Sequence, residues 1–219
     1  TEVALGCITP GGDVFFTLDG TEPSTASGKY EKPFKLTESA TLKAFVAKTG
    51  MPNSGVLTAE FHKIPVGRTL TLNTAFANQY SGGGDLCLID FIRGPLNFRT
   101  GAWQGYQGVD VDAVIDLGSI QLINKLEAGF LQDVGAWIFM PLEVQYYVSA
   151  DGKEFQHIGT VMNEVSHRTL GVNIQNFTLN FSTKARFIKV IAKNQGTCPD
   201  WHVGEGQPAW IFADEIAIE

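Results

Sequence analysis

The residues of this chain best suited to chemistry are aromatic side chains that stand beside glycine, proline or aspartate. They are Trp103 and Tyr106 in WQGY, Trp137 and Phe139 in AWIF, and Trp201 beside His202 in PDWHVG. An aromatic ring can cover the apolar face of a pyranose while neighbouring polar groups bind its hydroxyls. We expect Trp137 and Trp201 to be the stacking residues.

Several of these residues also have a simpler interpretation. Trp103 is equally suited to packing beneath a loop. Trp210 lies in the alternating segment AWIFADEIAI and is predicted to belong to the core. His202 could donate to an axial hydroxyl, but a lone surface histidine is more often only solvated.

Two arginines and one acid pair complete the candidate polar residues. Arg93 and Arg99 bracket RGPLNFR and could donate paired hydrogen bonds to ring hydroxyls, although ordinary salt bridges explain them equally well. Asp214 and Glu215 resemble the acid pairs of glycosidases. Consecutive residues of a strand point to opposite faces, and no run of βα units is present, so we expect no catalysis by this pair.

The first part of the chain has the spacing of short strands that could position such residues. Residues 14–20 (VFFTLDG) end in Asp-Gly turn chemistry, and strand-like segments follow at 30–36, 40–47 and 56–61. This pattern predicts a first module over residues 1–62.

The rest of the chain is predicted to form a second module. Residues 63–68 (KIPVGR) contain proline and glycine without an apolar period, which favours a short linker. From 69 to 219 the strand-like segments are 113–117, 142–149, 155–161, 176–181 and 187–192. No helical apolar stripe extends over three turns. We therefore predict an all-β fold of two sandwiches, the second a jelly roll.

Two strand-like segments of the second module indicate which residues face its core. In LEVQYYVS the alternating residues are Val144, Tyr146 and Val148, and in NFTLNF they are Phe177, Leu179 and Phe181.

Composition and charge limit the classes of partner. Hydrophobic residues make up 44% and charged residues 18% of the 219, and the formal net charge of −7 gives no electrostatic reason to bind nucleic acid or anionic lipid. No apolar run approaches the ~20 residues of a membrane span. Because the chain begins at Thr1 within a strand-like segment, we expect a mature or excised piece. Cys87 and Cys198 could form a bridge, but buried free thiols are favoured.

The first module resembles a known family. FFTLDGTEPS and LTESATLKAFVAKTG are similar to the small C-terminal module that follows the catalytic barrel in chitobiases and β-hexosaminidases, across about residues 1–62. The resemblance implies an immunoglobulin-like β-sandwich that serves as a spacer without catalytic residues.

The second module resembles the discoidin domain, also called the coagulation factor five/eight type C domain. The motifs, across about residues 70–219, are LIDFIRG, WQGYQGVDVDAVIDLG, VQYYVSADGKEF, RFIKVIAKN and AWIFADEIAIE. FLQDVGAWIFMP and CPDWHVGEGQPAWIFADEI are most similar to terminal domains of bacterial β-N-acetylhexosaminidases and some α-L-fucosidases. The resemblance implies a discoidin-like jelly roll and, commonly, binding of galactose-type or N-acetylated sugars.

The discoidin resemblance also implies a structural calcium ion. In many such domains the ion is held by an Asp, a nearby Thr, backbone carbonyls and a Glu of the last strand. Asp90 and Glu215 match the Asp and the Glu. Pro95 stands where the Thr is expected, so Thr100 is the replacement. A salt bridge from either acid to an arginine is the alternative.

These expectations combine into one functional hypothesis. The chain is a non-catalytic carbohydrate-binding module and spacer of a secreted, periplasmic or cell-surface glycoside hydrolase of the β-N-acetylhexosaminidase or chitobiase type. Its partners are glycans and the catalytic domain of the parent enzyme. The alternative is a purely structural role in the parent glycosidase, possibly an α-L-fucosidase, without sugar binding.

Overall fold

The computed structural model describes residues 1–219 and shows an all-β protein. The chain divides into two compact units, Thr1–Lys63 and Ile64–Glu219, and this division falls inside the predicted linker. No helix in the structure has the length and apolar character needed to cross a bilayer. The predicted all-β fold class is confirmed.

The first unit contains a four-stranded antiparallel sheet and a two-stranded one. Its strands are β1 (Glu2–Val3), β2 (Asp13–Thr17), β3 (Gly28–Lys29), β4 (Phe34–Lys35), β5 (Ala40–Ala47) and β6 (Leu57–Phe61). The larger sheet has the order β3-β2-β5-β6, and β1 pairs with β4. Alternation along β2 and β5 buries Val14, Leu42 and Ala44, which form the core with Val3.

The second unit contains seven antiparallel strands. They are β7 (Thr69–Leu72), β8 (Gln104–Gln107), β9 (Val111–Asp133), β10 (Glu143–Ser149), β11 (Gln156–Met162), β12 (Val172–Ala192) and β13 (Trp210–Ile218). The strand order is β11-β10-β12-β9-β13-β8, and β7 also pairs with β9. Short 3-10 turns occur at Asn78–Tyr80, Cys87–Ile89, Phe98–Thr100 and Val134–Ala136.

The two long strands, β9 and β12, connect the two layers of the jelly roll. The beginning of β9 pairs with β7, whereas its later part, from Leu126 to Leu131, pairs with β13. The register of β9 against β12 shifts twice between Asn180 and Phe187, where the strands change from one layer to the other. One pair of strands therefore contributes to both sheets that enclose the core.

The core of the second unit follows the predicted alternation. Val144, Tyr146 and Val148 are all buried, and so is Phe177. Leu179 and Phe181 are only partly buried and pack against the same cluster. The Tyr146 hydroxyl donates to the carbonyl of Phe177 at 2.6 Å, which joins β10 to β12 through the core.

The cysteines are free thiols. Cys87 and Cys198 are buried without a disulfide, as the favoured interpretation predicts, and Cys7 is exposed. Burial raises the pKa of the Cys87 thiol to about 12, so this group stays protonated and unreactive at neutral pH.

Replacing Tyr146 by Phe is expected to lower the free energy of unfolding by about 1–2 kcal/mol, because a buried hydrogen bond is lost. The matched control is Tyr147→Phe on the same strand. The Tyr147 hydroxyl bonds only to the half-buried Gln145, and its loss should cost less than about 0.5 kcal/mol. Urea denaturation followed by circular dichroism measures both. Equal losses in the two variants would contradict the role given to Tyr146.

Candidate functional site at the loops of the second unit

Three loops of the second unit bring the two predicted stacking tryptophans into one patch. Trp137 lies between β9 and β10, and Trp201 lies between β12 and β13. The His202 ring makes edge contacts with both, at centroid distances of 6.3 Å to Trp137 and 5.7 Å to Trp201. Arg168 joins them from the loop between β11 and β12. We call Trp137, Trp201, His202 and Arg168 the tryptophan rim.

The backbone of Trp137 has an unusual conformation. Its φ of 66° lies in the left-handed region, where non-glycine residues are uncommon, and its N–H closes the turn at Val134–Ala136. Gly204 lies against the indole, since a Cβ atom there would come within 2.8 Å of the ring. The half-buried ring is thus held in place by the second loop.

Trp201 is also half-buried, and it is already in contact with a cation. The Arg168 guanidinium lies 4.5 Å from the centre of its ring, and Phe139 contacts it edge-on. Arg168 has no acidic partner. A sugar that stacks on this side of Trp201 must displace Arg168 or bind beside it. No sequence motif distinguishes Arg168 from an ordinary loop arginine.

His202 and Phe139 are corrections to the set of ligand-contacting candidates. His202 is buried, its Nε2 donates to the carbonyl of Val134 at 2.8 Å, and its Nδ1 accepts from the N–H of Gly204. Both ring nitrogens are therefore used, and neither is available to a sugar hydroxyl. Phe139 is fully buried beneath the rim.

Trp103 and Tyr106 are also buried, which corrects their prediction as exposed loop aromatics; Trp103 takes the packing role beneath a loop that the sequence also allowed. Trp103 Nε1 donates to the carbonyl of Pro95 at 2.9 Å, and Gly94 packs directly on the indole. The Tyr106 hydroxyl donates to the Gln104 side chain at 2.7 Å. The glycine-flanked segment WQGYQ indicated a loop, but most of it is strand β8. Trp210 is buried, as predicted.

Arg93 forms the salt bridges that the sequence analysis offered as its alternative role. Its guanidinium bonds to Glu127 at 2.6 Å and to Asp214 at 3.3 Å. Gly129 lies beneath this pair, and a Cβ there would come within 2.1 Å of the Asp214 carboxylate. Only glycine leaves room for the ion pair, which attaches the loop carrying Arg93 to the sheet.

Arg99 occupies a different place from the tryptophan rim. Its guanidinium lies 4.3 Å from the centre of the Phe98 ring and has no acidic partner. Of the two predicted arginines, Arg99 is therefore the one whose donors remain available to a ligand.

Asp214 and Glu215 are both buried on the same side of the chain, contrary to the expectation that they face opposite ways. The register of β13 shifts between Ala213 and Ile216, and this irregularity turns both side chains toward the loop of Arg93. Asp214 accepts from the N–H of Gly94, and Glu215 accepts from the N–H of Phe91. Burial raises the pKa of Asp214 and raises that of Glu215 to about 8.

The carboxylates of Asp90 and Glu215 fit the calcium hypothesis in part. The two groups are close enough for Asp90 to raise the pKa of Glu215, and one Glu215 oxygen is buried without a hydrogen-bond partner. An unsatisfied carboxylate oxygen suits a hard cation. No group of three acidic, histidine or cysteine side chains surrounds the position, so backbone oxygens must complete it. Thr100 makes no hydrogen bond to Asp90 or Glu215; its hydroxyl donates to the Asn97 carbonyl within a 3-10 turn.

Comparison with known families agrees with this architecture. Residues 73–210 match the family model described as the F5/8 type C domain. This chain belongs to the F5/8 type C domain family. Residues 1–58 match the model described as the chitobiase/beta-hexosaminidase C-terminal domain. Both resemblances stated from the sequence are confirmed. A search of curated proteins found no match.

Several solved structures from bacteria are similar to this F5/8 type C protein. CpGH89CBM32-5 from Clostridium perfringens, in complex with GalNAc-beta-1,3-galactose, is 22% identical, with a TM-score of 0.45 over 71% of this chain and 97% of that one. The C-terminal domain of a Bacteroides fragilis chitobiase is 18% identical, with a TM-score of 0.44 over 72% and 95%. Chitosan-binding module 1 of a Paenibacillus chitosanase/glucanase is 13% identical, with a TM-score of 0.43 over 73% and 99%.

The variant Gly129→Ala is expected to separate Arg93 from Asp214 and to lower the free energy of unfolding by about 1–3 kcal/mol, because the added methyl group overlaps the carboxylate. Gly135→Ala is the control, since its Cβ would have its nearest contact at 3.6 Å. Thermal denaturation compares the two. A Gly129→Ala variant as stable as the control would refute the close approach of the Asp214 carboxylate to Gly129.

Proposed function

We propose that the F5/8 type C unit is a non-catalytic carbohydrate-binding module and that the first unit is its spacer within a secreted glycoside hydrolase. The observation that carries the proposal is the pairing of Trp137 and Trp201, two half-exposed indoles from separate loops joined by His202. Rings held in this way present apolar surface to a pyranose without losing conformational freedom on binding.

The geometry of the acid pair supports a module without catalysis. Asp214 and Glu215 are 1% and 3% exposed, and their oxygens face backbone amides and Arg93. A general acid or nucleophile must reach the scissile bond. Neither carboxylate can do so from this position.

The ligand class and the parent enzyme follow from the resemblance of the longer motifs. We place the module in a β-N-acetylhexosaminidase or chitobiase type of enzyme outside the cytoplasm, bound to galactose- or N-acetylhexosamine-containing glycans and adjacent to the catalytic domain. A shallow site that stacks one ring gives dissociation constants between millimolar and ~10 μM. Tethering several such contacts on one enzyme then raises its residence on a glycan surface.

Replacing Trp137 or Trp201 by Ala is expected to weaken glycan binding at least tenfold, because each indole supplies stacking area. Binding is measured on a glycan array and by isothermal titration with the best ligand. Tyr147→Ala removes a half-buried aromatic side chain from β10, outside the rim loops, and serves as the control. Circular dichroism checks that each variant is folded. Unchanged binding in both tryptophan variants would reject the assignment of the rim.

A structural role is the second candidate, and one observation favours it. Leu170 and Val203 are 85% and 92% exposed, and they lie in the same loops as Arg168 and Trp201. Such residues would be covered if the rim packed against another domain. Tryptophan fluorescence of the chain titrated with a sugar panel separates the two roles, because only a stacking site changes its emission when sugar is added.

We also propose that Asp90 and Glu215, with backbone oxygens, bind a structural calcium ion. Because the ion would bind only the folded state, saturating calcium should raise the melting temperature by about 5–10 °C at a hundredfold excess over its dissociation constant. Glu215→Gln should reduce this shift, and Asp85→Asn, at an exposed acid of the same loop, should preserve it. A full calcium shift in Glu215→Gln, or no shift in the unsubstituted chain, would exclude the site.

A further inference from the structure

A concave surface of the F5/8 type C unit lies apart from the four residues of the tryptophan rim. It is a cleft of about 330 Å³ whose walls include Gln79, Tyr80, Phe98, Arg99 and Trp103. This volume lies at the lower end of the range of small-ligand sites. The cleft therefore has room for one sugar residue.

The aromatic wall of the cleft is rigid. The Tyr80 ring makes edge contacts with three neighbours, at centroid distances of 5.9 Å to Phe98, 5.4 Å to Trp210 and 4.8 Å to Phe212. Tyr80 itself is only half-buried. The phenol thus keeps a fixed orientation while part of it stays open to a ligand.

Arg99 is positioned at this wall without a compensating charge. Its guanidinium is stacked on Phe98, and its backbone N–H donates to the Asn97 side chain, which begins the 3-10 turn. In contrast, Arg93 and Arg186 are each paired with carboxylates. The chain carries 23 acidic and 16 basic residues, so acidic partners are plentiful. An arginine held on a ring and left unpaired is suited to bind a carboxylate through two parallel hydrogen bonds.

Two further polar groups line the same cleft. The Tyr80 hydroxyl and the Gln79 side-chain amide make no hydrogen bond within the chain. Together they offer donors and acceptors for sugar hydroxyls. The cleft thus combines an apolar wall, neutral hydrogen-bonding groups and one cation.

We propose that this cleft binds a hexuronic acid residue of an acidic glycan. Arg99 pairs with the carboxylate, the Tyr80 ring packs against the pyranose, and Gln79 with the Tyr80 hydroxyl binds ring hydroxyls. The site is distinct from the tryptophan rim, because none of the four rim residues lines it.

The test uses the whole 219-residue chain and two probes that differ only at C6, methyl galacturonide and methyl galactoside. Titration followed by NMR is expected to show millimolar binding of the uronide and at least tenfold weaker binding of the neutral glycoside in the cleft. Arg99→Gln should weaken uronide binding about tenfold or more, because a charge-assisted pair is lost. Added salt should weaken uronide binding in the unsubstituted chain.

Matched variants separate this site from the rim. Arg168→Gln changes the other unpaired arginine that is stacked on an aromatic ring, and Trp201→Ala changes the rim without touching the cluster that contains Phe98. Both variants should leave uronide binding within twofold. Tyr80→Phe removes the hydroxyl but keeps the aromatic wall, and should weaken binding severalfold. The proposal is overturned if the uronide does not bind, if Arg99→Gln binds it normally, or if both probes bind equally. Loss of uronide binding in Arg168→Gln alone would move the site to the rim.

Discussion

The burial of two acidic side chains at the irregularity in β13 is the constraint on which the loop carrying Arg93 and Arg99 depends. Asp214 is held by Arg93 and by the N–H of Gly94, so the loop must lie directly on the sheet. Gly94 then packs on the Trp103 indole, whose Nε1 bonds to the Pro95 carbonyl. Burying a carboxylate without such partners costs several kcal/mol. Each of these contacts therefore fixes the position of the next residue in the loop, up to the turn that carries Arg99.

Aromatic residues of one sequence class have two different roles in this unit. Trp103 and Tyr106 support the loop from beneath, whereas Trp137 and Trp201 remain partly open at the rim. Trp137 packs against both aromatic clusters of the unit, the one that contains Phe98 and Trp210 and the one that contains Phe139. The rim and the Arg99 cleft are thus two openings over one continuous aromatic layer. A layer of this kind keeps its exposed rings rigid, which lowers the entropic cost of weak binding.

The local sequence pattern was sufficient to predict which residues are buried where side-chain periodicity decides burial. Alternation in LEVQYYVS correctly indicated that Val144, Tyr146 and Val148 face the core, and the ordered motifs indicated the discoidin fold. The pattern was insufficient at WQGYQ, because glycine beside aromatic residues also occurs in a strand where another ring packs closely. Gly105 is such a position, since a Cβ there would come within 3.1 Å of the Phe212 ring.

The sequence by itself determined the all-β class, the two families and the residues from which a binding surface could be built. Only the tertiary structure decided which of those residues reach solvent. The Nε2 of His202 bonds to the distant carbonyl of Val134, and the side chains of Asp214 and Glu215 turn to the same side at a strand irregularity. No motif distinguishes Tyr80 or Arg168. In the structure Tyr80 forms a wall of the Arg99 cleft, and Arg168 is the cation of the tryptophan rim. The physical reason is that exposure and pairing depend on contacts between distant segments, which no local spacing encodes.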